Sequence, residues 1–127
     1  MKNVLILDDN DFYSHIMQTV YEAHNFSVFR ASSAREGWEL FRRKGLNFFD
    51  LIVADITMES QLSGLIVALK CRLKGYKKRL YLVSTGFNVR CNLFFSGMLL
   101  RTLSINRAIP KYVFHEASRE KLVRWLI

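Results

Sequence analysis

Short apolar runs punctuate the chain, and between them the hydrophobic positions recur at helical spacing. Residues 3–7 and 49–55 are nearly continuous apolar stretches that end in acid, at Asp8 and Asp9 in the first case and at Asp55 in the second. A run without alternation belongs to a strand covered on both faces, as in a parallel sheet. Residues 26–29 alternate as a short strand, and residues 79–84 form a fourth. Pro110 is the only proline; having no amide hydrogen, it can begin a strand but not sit within a ladder, so a fifth strand is placed at residues 111–114.

Helices fill the intervals. Asn10 or Asp11 caps a first helix whose apolar positions are Phe12, Ile16, Val20 and Ala23. Ser32 or Ser33 caps a second with Ala34, Trp38 and Phe41 on one face, and Gly45 ends it. A polar loop over residues 57–63 leads into a third helix at residues 64–74. Leu93, Phe94, Met98, Leu99 and Leu103 give a fourth, within residues 87–107, a wide apolar face. Ser118 caps the last, which carries Leu122, Val123 and Leu126. Five strands interleaved with helices predict one domain, residues 1–127, built as a three-layer α/β sandwich with right-handed crossovers.

The chemistry lies at the strand ends. Binding sites of open α/β sheets sit outside the carboxyl ends of the strands, and two neighbouring parallel strands would bring Asp8, Asp9 and Asp55 to one edge. Carboxylates this close raise one another's pKa unless a cation neutralises them. Mg²⁺, with its preference for oxygen ligands, suits the set.

Composition narrows the class. Half the residues are hydrophobic and 24% are charged, as in a soluble globular protein. Only four apolar residues separate Lys2 and Asp8 at the N-terminus, too few for a signal-peptide core, and no run of apolar residues is long enough to span a membrane, so a cytoplasmic protein is expected. Cys71 and Cys91 lie far apart without metal-ligand spacing and are expected as reduced thiols. The net charge is +8, from 19 basic and 11 acidic residues. Lys70, Arg72, Lys74, Lys77, Lys78 and Arg79 form a candidate basic patch for nucleic acid or an acidic protein. A solvated face is the preferred reading, because only Tyr76 interleaves as an aromatic; membrane attachment is not expected, since no helix pairs a clean basic face with an apolar one.

The order of motifs resembles the receiver domain of two-component response regulators over nearly the whole chain. The matches are the run of residues 4–9 ending in Asp8 and Asp9; residues 50–58 with Asp55 and Thr57; Val83, Ser84, Thr85 and Gly86; and Tyr112, Val113 and Phe114 before a closing helix. The resemblance implies a flavodoxin-like sheet of order 2-1-3-4-5. It implies that Asp55 accepts a phosphoryl group from a kinase phosphohistidine, and that Asp8, Asp9, Asp55 and the Thr57 carbonyl hold Mg²⁺. Thr85 would offer its hydroxyl to the phosphoryl group, and Tyr112 would be the aromatic that turns with it. Outside the resemblance, Thr85 reads as a strand-end cap and Tyr112 as a half-buried core aromatic. A carboxylate is a sound nucleophile toward phosphorus, and the transfer needs mainly positioning and charge neutralisation.

The chain departs from the receiver pattern in several places. Receivers carry a lysine three residues after the switch aromatic; counting from Tyr112 that position is His115, which is preferred to Lys111 as its replacement. Glu59 stands where proline is usual, and Gly64 comes one position late. The segment after Thr85 is longer than in typical receivers, and receivers are usually acidic. A functioning switch would serve a sensor histidine kinase or phosphotransfer protein and signal to a downstream protein, or a homodimer partner, through the fourth helix and fifth strand. Its only chemistry would be its own phosphorylation and dephosphorylation, and it is expected to act without an effector domain after Ile127. The alternative is a degenerate receiver that binds protein or nucleic acid without phosphorylation. A hydrolase with an aspartate nucleophile ranks third, because Thr57 stands where its second acid would be.

Overall fold

The computed structural model describes residues 1–56, 63–84 and 104–127. Five strands, β1 (Lys2–Leu7), β2 (Phe26–Ala31), β3 (Leu51–Asp55), β4 (Arg79–Ser84) and β5 (Arg107–Pro110), form one parallel sheet in the order β2-β1-β3-β4-β5. Among the described residues the helices are α1 (Asp11–Ala23), α2 (Ala34–Lys44), α3 (Ser63–Lys74), the single turn α4 (Val113–Glu116) and α5 (Arg119–Leu126).

Successive side chains of a strand point to opposite faces of the sheet. On β1, Val4 and Ile6 pack with Met17, Val20 and Tyr21 of α1 and with Leu122 and Leu126 of α5. Leu5 and Leu7 face the other way, onto a core with Phe41 of α2 and Val67, Ala68 and Cys71 of α3. All of β3 is buried, which explains the unbroken apolar run from Leu51 to Ala54, and each large aliphatic side chain removed from water contributes roughly 1.5–3 kcal/mol.

Local signals set the helix ends. Asn10 caps α1, its Oδ1 accepting from the amides of Phe12 at 2.9 Å and Tyr13 at 3.2 Å. Ser33 caps α2 by accepting from the Glu36 amide, and Gly45 ends it with φ of +100°, a conformation that favours glycine. Ser118 accepts from the Lys121 amide and starts α5.

The expected fifth strand at residues 111–114 is corrected: β5 precedes it and ends at Pro110. The Lys111 amide donates to the Ser84 carbonyl at 2.8 Å. Because hydrogen-bonding positions alternate along a strand, Lys111 and Ile109 face β4, while Pro110 has its nitrogen on the open edge, where a missing donor costs no ladder bond. Tyr112 then turns the chain, and Val113 and Phe114 reach the core from the helical turn α4. The expected fourth helix lies outside the described residues apart from its last few positions.

Candidate acidic phosphoacceptor site

β1 and β3 are adjacent and in register, Leu7 pairing with Ala54, so the residues that follow them come together. Carboxylate oxygens of Asp8, Asp9 and Asp55 lie within 4.8 Å of one another. Asp8 and Asp55 are buried and Asp9 is exposed. The Asp8 carboxylate accepts through Oδ1 from the Asn10 amide at 2.9 Å, while its buried Oδ2 has no hydrogen-bond partner among the described residues. Burial, together with the neighbouring charges of Asp55 and Asp9, pushes the Asp8 pKa up to about 6, against the opposing pull of the Asn10 amide and the Lys111 ammonium. An orphaned acceptor buried among three carboxylates fits a hard divalent cation. Asp8, Asp9 and Asp55 are the side chains that could hold one; Thr57 lies outside the described residues, as do Glu59 and Thr85.

Lys111 reaches this site. Its Nζ is 2.8 Å from Asp55 Oδ2, and both side chains are almost fully buried. Ending β5 at Pro110 is what delivers it, since the next residue emerges at the carboxyl edge beside the end of β4 and its side chain reaches across to Asp55. The expectation that His115 takes this place is therefore corrected. His115 is four residues further on, exposed in α4, and its Nε2 shares a 2.9 Å hydrogen bond with the Tyr13 hydroxyl. The spacing count failed because it started from Tyr112, which is not on the strand: it is 59% exposed and precedes α4. With Lys111 at the site, the position three residues before it is Ala108, which pairs with Leu82 in β4.

Two further residues support the site, and one of them, Arg30, went unnoticed in the sequence. Arg30, projecting from β2, donates through Nε and Nη2 to the Asp8 carbonyl, each at 3.2 Å, and forms a 2.9 Å ion pair with Asp11. Gly64, in the first turn of α3, packs directly on the end of β3; a Cβ there would collide with the Asp55 carbonyl. The glycine was legible as a motif residue, but its close contact depends on the approach of α3 to β3. Arg30 carried no signal, because nothing local shows which strand neighbours Asp8.

The proposed basic patch divides. Arg72 donates to the carbonyls of Tyr76 (2.8 Å), Lys78 (2.7 Å) and Ser104 (2.7 Å), tying the turn after α3 to the entry of β5. Lys78 pairs with Asp50 at 3.2 Å, and Arg79 donates to the Ile127 carbonyl at 3.0 Å. Lys70 lies over the Trp38 ring, 5.7 Å from its centroid. Lys74 and Lys77 remain exposed. Three of the six cations thus serve the chain's own backbone or carboxylates, and a fourth meets an aromatic ring. Among the described residues no helix is long and apolar enough to cross a membrane, and Cys71 is buried as a free thiol.

Neither a family model nor a curated protein matches the chain. Solved structures do. A response regulator receiver domain protein from Clostridium thermocellum superposes with a TM-score of 0.76 at 17% identity, over 99% of this chain and 91% of the other. The chain has the receiver fold. The chemotaxis protein CheY4 of Vibrio cholerae gives a TM-score of 0.75 at 16% identity, covering 98% and 94% of the two chains. A response regulator from Burkholderia pseudomallei, solved with a phosphorylated aspartic acid, a calcium ion and citrate, gives 0.70 at 18% identity, over all of this chain and 67% of the other. Within this receiver fold the sheet order is the expected one, and the acidic cluster lies at its carboxyl edge.

Proposed function

We propose that the chain is a phosphoacceptor receiver domain of two-component signalling, in which Asp55 takes a phosphoryl group from a phosphohistidine on a kinase or phosphotransfer protein. The observation that carries this reading is the buried Lys111–Asp55 pair, with a 2.8 Å contact, beside Asp8 and Asp9 at the edge of the sheet. An Asp55 carboxylate oxygen attacks phosphorus; the O–P bond forms as the P–N bond of the donor breaks, and the imidazole leaves. Formation of the acyl phosphate removes the carboxylate charge of Asp55, so the Lys111 ammonium is left to balance a phosphoryl oxygen. Asp8, Asp9 and Asp55 would hold Mg²⁺, which when bound supplies positive charge against the phosphoryl oxygens. Thr85, which follows β4 in sequence, is the candidate hydroxyl for the same group. The domain is not otherwise an enzyme in this reading, and its downstream partner is a protein.

One observation favours the alternative, a degenerate receiver acting as a constitutive binding module. The position three residues before Lys111 is Ala108, and Tyr112 lies off the strand, so the aromatic element of the usual switch is lacking at its expected place. Acetyl phosphate and Mg²⁺ separate the two readings. We expect an acid-labile adduct on Asp55 that is lost in Asp55→Asn and strongly slowed in Lys111→Ala. No adduct on folded protein would sink the phosphoacceptor reading and leave the binding module.

A further inference from the structure

Lys111 is held from two sides. Its ammonium pairs with Asp55 on one side, and on the other it lies over the face of Tyr13, 4.8 Å from the ring centroid. Tyr13 is in turn enclosed by aromatic rings. Phe12 meets it edge-on at 5.3 Å, Phe114 at 5.5 Å and His115 at 5.5 Å. Its hydroxyl shares the 2.9 Å hydrogen bond with His115 Nε2, and His115 stacks on Phe12 at 5.1 Å. The ring therefore takes its position from α1 and α4, which pack on the same face of the sheet.

We propose that Tyr13 is a positioning residue for phosphoryl transfer, an aromatic backstop that holds the Lys111 ammonium over Asp55, and that His115 acts through it as the anchor of its hydroxyl. The inference rests on the phosphoacceptor reading of Asp55. The chemistry favours a ring in this place. A ring face attracts a cation through its quadrupole yet carries no net charge, so it restrains the four-carbon stem of lysine without competing for its charge. A carboxylate at the same point would draw the ammonium away from Asp55 and from the phosphoryl group that replaces its charge. A hydrogen-bonded aliphatic hydroxyl would leave the stem its rotamer freedom. This arrangement also gives His115 a role that needs no contact with the phosphoryl group.

The test uses two readouts on the full chain, each with Tyr13→Leu, Tyr13→Phe and His115→Ala. The first is acylation of Lys111 by an amine reagent, read by peptide mass spectrometry against exposed Lys77 and Lys121. The second is the rate of Asp55 labelling by acetyl phosphate with Mg²⁺. We expect Tyr13→Leu to raise Lys111 reactivity several-fold and slow labelling about tenfold, the loss of a well-placed cation–π contact. Tyr13→Phe keeps the ring and should recover most of that loss. His115→Ala, at an exposed position, should resemble Tyr13→Phe. Unchanged Lys111 reactivity in folded Tyr13→Leu overturns the backstop, as does a raised reactivity with an unchanged labelling rate. Should the unaltered chain take no label while Tyr13→Leu frees Lys111, the positioning contact stands and the phosphoacceptor reading falls.

Discussion

Asp8 is folded at a cost that its proton affinity records. Its pKa is raised to about 6, chiefly by burial, so the native state binds a proton more tightly than the unfolded chain. Stability from this group is therefore full below about pH 4 and declines as pH rises toward 6, where the folded carboxyl ionises. At pH 7 without divalent cations, Asp8→Asn should stabilise the protein by about 1–3 kcal/mol, with the amide oxygen still available to the Asn10 amide. The gain should vanish near pH 4. Urea denaturation at the two pH values checks this, and an Asp8→Asn variant no more stable than the parent at pH 7 would show that the buried charge is already compensated. Of the residues that meet at the site, Asp8, Asp9 and Asp55 were legible in the sequence because each ends an apolar run. Lys111 was legible only as a rival to His115, since choosing between them required knowing where β5 ends.

At the scale of elements, two junctions decide whether the site forms. One is the contact of α3 with β3, where Gly64 leaves no room for a side chain above the Asp55 carbonyl. Gly64→Ala has to push α3 from the sheet or displace Asp55 itself. We expect a loss of about 1–3 kcal/mol together with slower Asp55 labelling, whereas Gly45→Ala, at the far end of α2, should strain only its own positive φ. Equal labelling by folded Gly64→Ala and the parent would show that the strand end tolerates the shift. The other junction is β5 with α5. Arg107 donates to the Arg124 and Trp125 carbonyls at 2.8 and 2.7 Å, Tyr21 to that of Leu126 at 3.0 Å, and Arg79 to that of Ile127. These donors satisfy the open carbonyl end of α5 and set the helix against the sheet. Arg79 thus reads in the sequence as one member of a basic cluster, and in the fold as a cap on a helix distant along the chain.

At the scale of the whole molecule, a chain of net charge +8 concentrates three carboxylates at one edge of its sheet. Divalent cation binding to the native state alone should raise stability by mass action. At tenfold excess over its dissociation constant, Mg²⁺ should raise the melting temperature by about 5 °C at pH 7, and Asp8→Asn or Asp9→Asn should blunt the shift. A thermal scan with and without chelator tests it, and equal shifts in parent and Asp9→Asn would place the ion elsewhere. The sequence alone determined the strands β1, β3 and β4, the cap Ser118, and the acidic ends of β1 and β3, and narrowed the α2 cap to Ser32 or Ser33, because each depends on neighbours along the chain: apolar runs, a polar side chain before a helix, a charge that stops a strand. Only the tertiary structure decided the end of β5, the choice of Lys111 over His115, the dispersal of the basic cluster and the backing of Lys111 by Tyr13. Those outcomes depend on which strand edge is open and which carbonyls face which cations. Pro110 is harmless on an open edge and disruptive inside a ladder, and which of the two holds is a property of the sheet, not of the residues beside it.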